Sequence, residues 1–389
     1  MPIFAFYIID FPSGGTGTAV QHTANELARR GHKVIIFAGR HMPENYALNI
    51  ERSFEVVQVP DMNPNTGENI EFLANQLNEN MVSAFVVVAM HFLRINELRK
   101  KTRCKVVYAL HGVPFYEGRM NAGMKHRGGI LRRIKYWLKY DWQYRYFQRG
   151  LRECRHIYDN TISSVDRYVV LHKEYKRLLE ETLELSAKDR EKICVIPNGI
   201  EQNLEEIDEK EKIIIFMGRL TYADKRPMRL VNIWEQAYKE LTDWRFVVVG
   251  DGEEKDRMQK AVHRRGIERM EFVGYSNDVN SYYRKSSIIC LTSEYEGWGL
   301  CLAEGQAYGV VPMAFNCSAG VDDIISPNGQ NGLLVTPYNC EEYAHQLVAL
   351  AKNPERLHTL SQNCIEKAKT YTMERNSKGY CELLEGLAK

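Results

Sequence analysis

Short apolar runs alternate with longer stretches of helical periodicity along the chain, and this alternation constrains the fold more than any other feature. In the first half we predict strands at 3–9, 33–37, 54–59, 84–89, 105–110, 169–171 and 193–196, and helices at 18–30, 68–80 and 93–100. Strands that alternate with helices predict βαβ units, and therefore a parallel sheet covered on both faces.

The pattern restarts after an acidic segment at 201–212 that holds few apolar side chains. Predicted strands at 213–217, 246–249, 272–273, 288–291, 311–314 and 333–335 alternate with helices at 228–239, 253–265 and 302–308, and three helices close the chain at 341–350, 354–370 and 374–387. We therefore predict an α/β protein with two Rossmann-like, doubly wound domains, at 1–200 and 201–370. We expect the remaining segment, 371–389, to pack back on the first domain.

Composition excludes several classes of protein. The 389 residues suffice for two or three domains, and 52 Lys and Arg against 50 Asp and Glu leave a net charge of +2, so the chain is not a general polyanion binder. No apolar run approaches the ~18 residues of a membrane span, and nothing before the first strand resembles a secretory signal. Nine scattered cysteines without a C-x-x-C pair are typical of a reduced, intracellular protein without a zinc site.

A glycine-rich segment at 10–18 lies between the first predicted strand and helix. Gly14 and Gly15 allow the backbone to approach a ligand, and the start of a helix favours phosphate. The segment lacks the complete G-x-G-x-x-G and G-K-[ST] patterns, which disfavours a nicotinamide dehydrogenase. A tight structural turn and a phosphate or acceptor contact both stay open.

Two cations follow the predicted strand at 213–217: Arg219, directly after Gly218, and Lys225. Ligands of open α/β sheets bind at the carboxyl ends of strands. A guanidinium and an ammonium at such an end suit a diphosphate, although the pair could also be two solvated surface charges.

Two glutamates, Glu296 and Glu304, follow the predicted strand at 288–291. Gly297, Trp298, Gly299 and Leu300 form the turn between Glu296 and the helix that carries Glu304. Amides at a helix start can take phosphate, and a carboxylate can take sugar or ribose hydroxyls. The alternative is that the acidic residues only cap the helix.

Further along, Gly-Val-Val-Pro at 309–312 and Asn-Gly-Leu-Leu-Val at 331–335 complete an ordered set of motifs. With this set, the chain resembles the retaining GT-B glycosyltransferases of family GT4, whose hallmark is E-x7-E, as in Glu296 and Glu304. The Arg219 and Lys225 pair, the Gly14-Gly15 segment and Pro-Asn-Gly-Ile at 197–200 match the family in order, and the resemblance covers nearly the whole chain.

The resemblance implies two domains that face each other across a cleft, the first for acceptor and the second for nucleotide sugar. Arg219 and Lys225 would hold the donor diphosphate and stabilise the departing phosphate. Glu304 would bind the ribose hydroxyls, while Glu296 and the 297–300 amides would hold the sugar.

Gly15 would bring its amide to the phosphates when the domains close. His111, at the end of the 105–110 strand, matches the family's histidine near the donor sugar, although spacing alone favours a structural histidine. A D-x-D motif is absent, so no metal or other cofactor is expected, with fixed cations in place of Mg²⁺.

The implied function is retaining transfer of a hexose-type sugar, most simply from a UDP-linked donor, to a glycan or lipid-linked glycan in bacterial surface polysaccharide, lipopolysaccharide or capsule assembly. Front-face attack is the usual picture, with Glu296 as a covalent nucleophile a less favoured alternative. The sequence departs from the family pattern at two places, with Trp298 in place of Phe and Gly-Gln-Ala at 305–307 in place of Ala-Met-Ala. These departures put the identity of the donor sugar in doubt. A non-catalytic nucleotide-sugar binding protein, or another nucleotide-sugar enzyme such as an epimerase, is the rival on the same fold.

A basic stretch at 119–155 holds eleven Lys or Arg and two acidic residues. Ile130, Ile134, Trp137 and Leu138 share one helical face there. A basic helix with an apolar face predicts peripheral contact with an anionic membrane, here at the cytoplasmic, inner face. A solvated helix packed on the sheet is the alternative, and nucleic acid is disfavoured because no binding motif accompanies the stretch.

Overall fold

A computed structural model describes residues 1–12, 14–41, 53–88, 92, 94–117, 130–136, 138, 149–202 and 209–389. The chain divides into two compact units. Unit 1 comprises Met1–Gly199 and Met373–Lys389, and unit 2 comprises Ile200–Thr372.

Unit 1 is built on a seven-stranded parallel sheet in the order β3-β2-β1-β4-β5-β6-β7. The strands are β1 (Ile3–Phe11), β2 (Lys33–His41), β3 (Glu55–Gln58), β4 (Ala84–Val88), β5 (Lys105–Leu110), β6 (Arg167–Val170) and β7 (Ile193–Val195). All five residues of β4 are buried, as expected of a strand covered on both faces.

The helices of unit 1 are α1 (Gly14–Arg29), α2 (Gly67–Glu79), α3 (Ile95–Lys101), α4 (Ile130–Tyr136), α5 (Arg149–Ser164), α6 (Lys173–Thr182), α7 (Ala187–Lys192) and, after unit 2, α15 (Met373–Ala388). Helix α1 begins four residues before the predicted start, so Gly14 and Gly15 form its first turn and not a loop before it. The predicted start of the helix was wrong because glycine has a low propensity for helix interiors, whereas the first turn of a helix tolerates it. Helix α15 packs against α1, and its Tyr380, Cys381 and Leu384 belong to the core of this unit.

Unit 2 is built on a six-stranded parallel sheet in the order β10-β9-β8-β11-β12-β13. The strands are β8 (Ile213–Met217), β9 (Arg245–Val249), β10 (Met270–Gly274), β11 (Ile288–Leu291), β12 (Val311–Phe315) and β13 (Leu333–Val335). The helices are α8 (Met228–Ala237), α9 (Lys255–Arg265), α10 (Val279–Lys285), α11 (Leu300–Ala307), α12 (Ala319–Ile325), α13 (Cys340–Ala351) and α14 (Pro354–Ala368).

Strands β8 and β11 are neighbours at the centre of this second sheet, with Ile288 paired to Ile214. Parallel strands place their carboxyl ends at one edge, so the loop after β8 and the loop after β11 begin side by side. Arg219 and Lys225 lie on the first loop, and Glu296 lies on the second.

The part of the chain described by the structure contains no helix long and apolar enough to cross a membrane.

Candidate active site

The loop after β8 is organised around Asp224, which sequence reasoning did not single out. Arg219 donates from Nη2 to Asp224 Oδ2 at 3.1 Å, and the Thr221 hydroxyl donates to Oδ1 of the same carboxylate. The side chain of Arg219 is 75% exposed, whereas Asp224 is largely covered. Arg219 is therefore a cation held by one terminal nitrogen of its guanidinium, with the rest of the group open to a ligand.

Lys225 forms an ion pair with Glu296, which joins the loop after β8 to the loop after β11. Only 14% of the Lys225 side chain is exposed, and Ser293 donates its hydroxyl to Glu296 Oε2 at 3.3 Å. Burial alone would lower the pKa of Lys225, but the charge and hydrogen bond of Glu296, together with Cys301 and Asp224, outweigh burial and raise the pKa above its ordinary value. Lys225 is therefore charged at neutral pH.

The turn at 297–299 leads from Glu296 into α11. Gly299 precedes the helix with φ of 84°, and Leu300 is the first helical residue. A Cβ on Gly320, in the first turn of α12, would lie 2.4 Å from the Gly297 carbonyl oxygen, so two chain segments touch backbone to backbone here. Trp298 is buried, with its ring edge-on to Tyr371 and the ring centres 5.0 Å apart, so its side chain is closed to a ligand.

Glu304 lies in the second turn of α11, where Tyr283 of α10 donates its hydroxyl to Glu304 Oε2 at 2.9 Å. Burial raises the pKa of Glu304 above its ordinary value, and the hydrogen bond from Tyr283 opposes that rise. The hydroxyl thus orients one carboxylate oxygen and favours the ionised form.

The loop after β9 supports the Arg219 loop from the other side, and sequence reasoning missed it. Gly250 has φ of 137°, and a Cβ there would lie 1.9 Å from the Gly218 carbonyl oxygen. Leu220 donates its amide to the Asp251 carbonyl at 2.8 Å, and Gly218 donates to the Val249 carbonyl at 3.1 Å. Gly-Asp-Gly directly after a predicted strand was the available signal, since glycines permit this close approach.

His111 and Gly15 belong to unit 1, whereas the other predicted site residues lie in unit 2. Gly15 is in the first turn of α1, and His111 directly follows β5. Burial lowers the pKa of His111 to about 4, although Asn198 opposes the shift. The imidazole is therefore neutral near pH 7 and can offer one hydrogen-bond donor and one acceptor.

Two thiols flank the Lys225–Glu296 pair, on Cys301 and Cys317. Burial raises the pKa of each to about 12, so both stay protonated and are poor nucleophiles. Within the described ranges, no group of three or more His, Cys, Asp or Glu side chains is placed to hold a metal ion.

The basic stretch at 119–155 falls only partly within the described residues, and 119–129, 137 and 139–148 lie outside them. In and just after α4, Ile130 and Leu131 are 75% and 85% exposed, and Ile134 and Leu138 are about half exposed. These apolar side chains therefore point to solvent, and the alternative of a stripe packed on the sheet does not hold for them.

Two family models match the chain in succession. Residues 13–204 match the model described as Glycosyltransferase Family 4, and residues 200–370 match the model described as Glycosyl transferases group 1. Together the two matches, both to models of glycosyltransferase families, extend from residue 13 to residue 370.

A relative from Haemophilus influenzae, named an uncharacterized glycosyltransferase, is 31% identical over 216 residues, which are 55% of this chain and 60% of the relative. The chain spans 48–63% of the length of the first three curated relatives it matches. All three of these relatives are named glycosyltransferases.

Solved structures match over nearly the full length. Anabaena HepE in complex with UDP and glucose gives a TM-score of 0.74 at 16% identity, covering 99% of this chain and 100% of HepE. WaaG, a glycosyltransferase involved in lipopolysaccharide biosynthesis, gives 0.72 at 17% identity, covering 98% and 100%. The chain thus has the GT-B fold, with two Rossmann-like parallel-sheet domains.

Proposed function

We propose that this protein is a retaining glycosyltransferase that moves a sugar from a nucleotide diphosphate sugar to a glycan or lipid-linked glycan. The observation that carries the proposal is a group of four charged residues at the carboxyl ends of the strands of unit 2. Arg219 and Lys225 come from one loop, Glu296 from a second loop and Glu304 from a helix. Two cations and two carboxylates at one sheet edge suit the diphosphate and the hydroxyls of such a donor.

Each group has a distinct part in the proposed reaction. The open Arg219 guanidinium and the Lys225 ammonium bind the diphosphate and stabilise the charge that grows on it as the glycosidic bond breaks. Glu304 accepts hydrogen bonds from the ribose hydroxyls, and Glu296 and the 297–300 amides hold the sugar. The leaving phosphate accepts the proton of the attacking hydroxyl.

Glu296 is less suited to act as a covalent nucleophile. Its carboxylate is bound by Lys225 and by the Ser293 hydroxyl, and both contacts reduce its nucleophilicity. Front-face attack is therefore the route that we propose. Fixed cations replace a metal ion, so removal of divalent cations with EDTA is expected to leave transfer unchanged.

UDP is the nucleotide that we propose for the donor. HepE, which has a similar fold and was solved with UDP and glucose, supports this choice. The setting that we propose is surface polysaccharide, lipopolysaccharide or capsule assembly, which the likeness to WaaG supports. The neutral His111, at the end of β5 in unit 1, is proposed to hydrogen-bond the donor sugar, and Gly15 to offer its amide to the phosphates.

The test is a thermal-shift panel of UDP, GDP, ADP, CMP and NAD on the wild type and on Arg219→Ala/Lys225→Ala. A ligand at 100 times its Kd stabilises by about 2.7 kcal/mol, so one diphosphate should raise the Tm of the wild type but not of the double variant. The matched control is Lys212→Ala/Arg245→Ala, which removes the same charge at the amino ends of β8 and β9. Equal stabilisation of all three proteins would refute the site assignment.

The rival is a nucleotide-sugar binding protein without activity. Donor hydrolysis in the absence of acceptor separates the two, because an enzyme releases free sugar slowly and a binding protein releases none. NMR of the product distinguishes transfer from epimerisation and reports whether the anomeric configuration is retained.

We also propose that the protein contacts an anionic membrane from the cytoplasmic side, through 119–155. The exposed Ile130 and Leu131, in a stretch rich in Lys and Arg, have the character of a helix that inserts its apolar side among headgroups. Ile130→Ser/Leu131→Ser should reduce co-sedimentation with phosphatidylglycerol vesicles and leave thermal stability unchanged. Failure of the wild-type protein to co-sediment with such vesicles would refute the contact.

A further inference from the structure

Arg229, in the first turn of α8, holds the segment that follows β11 at two points. Its Nη1 donates to the Thr292 carbonyl at 3.0 Å, and its Nη2 donates to Glu294 Oε2 at 2.6 Å. The Arg229 side chain is only 19% exposed, so these bonds form in a partly desolvated setting. A guanidinium can make both bonds at once, and an ammonium cannot reproduce that fork.

Tyr338, in the turn after β13, covers this guanidinium. Its ring centre lies 4.1 Å from the Arg229 guanidinium carbon, and its hydroxyl donates to the Glu294 carbonyl at 2.8 Å. The backbone of Tyr338 has φ of 128°, a strained conformation that residues with a side chain rarely adopt. Neighbouring contacts must hold such a residue in place, and those with Arg229 and Glu294 do so.

The segment at 292–294 in turn touches both members of the Lys225–Glu296 pair. Thr292 donates its hydroxyl to the Lys225 carbonyl at 3.3 Å, and Ser293 donates to the Glu296 carboxylate. The Glu294 amide donates to the Asp224 carbonyl at 2.6 Å. A shift of this segment would therefore move the ammonium and the carboxylate relative to each other.

We infer that Arg229 is a positioning residue for the Lys225–Glu296 pair, acting through a clamp of Arg229, Glu294 and Tyr338. The clamp fixes the segment at 292–294, and that segment fixes the two groups that meet the donor. Arg226 approaches the same Glu294 carboxylate only at 3.5 Å, so Arg229 is its principal partner. The inference rests on the proposed function, because it assumes that Lys225 and Glu296 act on a donor.

A merely structural role for Arg229 makes a different prediction. If the clamp only stabilises unit 2, a variant loses Tm but each folded molecule keeps its kcat. If the clamp positions the reacting groups, kcat falls further than nucleotide affinity changes, because Arg219 still binds the diphosphate while the transition-state geometry is lost.

The experiment compares Arg229→Lys with the wild type in kcat, in UDP affinity by calorimetry and in Tm. A displacement of about 1 Å costs on the order of 100-fold in rate, so kcat is expected to fall about 10- to 100-fold with a smaller change in UDP affinity. Arg265→Lys is the matched control, since Arg265 also bonds two partners, Asn232 at 2.9 Å and Glu235 at 2.7 Å, in the same unit.

A second variant tests whether the clamp acts as one unit. Glu294→Gln is expected to lose less than Arg229→Lys, and the double variant is expected to lose no more than Arg229→Lys alone. Additive losses of kcat, or a kcat of Arg229→Lys equal to that of Arg265→Lys, would refute the positioning role of the clamp without refuting the donor site. A wild type that neither binds UDP nor transfers sugar overturns the proposed function, and the clamp with it.

Discussion

Tyr283→Phe is the substitution that most directly tests the role of Glu304. It deletes one hydroxyl from a buried side chain and leaves the ring, which stacks on Tyr308 with centroids 5.8 Å apart, in place. The deleted hydroxyl donates to Glu304 Oε2 at 2.9 Å. The variant therefore removes a hydrogen bond to a carboxylate with little change in packing.

The size of the effect follows from the charge of the acceptor. A hydrogen bond to a charged group contributes about 1.5–3 kcal/mol, which corresponds to roughly 10- to 100-fold in an equilibrium that requires the ionised form. Burial already raises the pKa of Glu304, and the nearby Glu201 adds to that rise. Without the Tyr283 hydroxyl the pKa rises further, so at a given acidic pH a larger fraction of Glu304 is protonated.

A protonated Glu304 loses acceptor capacity for the ribose hydroxyls, so donor kcat/KM should fall at low pH. The assay is donor kcat/KM against pH, from about pH 5 to about pH 9, where the acid limb of the variant should lie at higher pH than that of the wild type. The control is Tyr343→Phe, which deletes another buried hydroxyl of unit 2 that donates to the Met313 carbonyl. An acid limb at the same pH in all three proteins would refute the role of Glu304.

Two further substitutions probe separate features. Gly320→Ala places a Cβ 2.4 Å from the Gly297 carbonyl oxygen, so it should weaken donor binding and lower the free energy of unfolding by about 1–3 kcal/mol. The control is Gly386→Ala, which has open space around it and should change neither quantity. Calorimetry measures the donor binding, and urea unfolding measures the stability. His111 has its pKa lowered to about 4 by burial, so the folded protein takes up its proton less readily than the unfolded chain and loses stability as pH falls from about 6.5 to about 4. His111→Asn should flatten that decline in Tm, and an unchanged decline would contradict a buried, neutral His111.

The strands of both sheets could be predicted because their apolar runs are continuous and bounded. The candidate site at the carboxyl edge of unit 2 could be predicted in part, since Arg219 and Lys225 lie in the loop after one such run and Glu296 lies in the loop after another. Which side chains pair could not, because Lys225 and Glu296 are separated by 71 positions and no local pattern encodes their contact.

The supporting residues were missed for a related reason. Tyr283 lies on α10, a short helix with little apolar periodicity, and Arg229 is one of many arginines in the sequence. Their importance comes from tertiary contacts with Glu304 and Glu294. The start of α1 was missed because local propensity argues against Gly14 as a helical residue, and the fold overrides that propensity.

The return of α15 to unit 1 bears on the order in which the protein is assembled during synthesis. Unit 2 is a continuous insertion, Ile200–Thr372, and all of it leaves the ribosome before the segment that completes the core of unit 1. Until Tyr380, Cys381 and Leu384 emerge, the surface of α1 that they cover stays open to water. Unit 2 can therefore complete its folding before unit 1 does, because unit 1 needs α15 to complete its core.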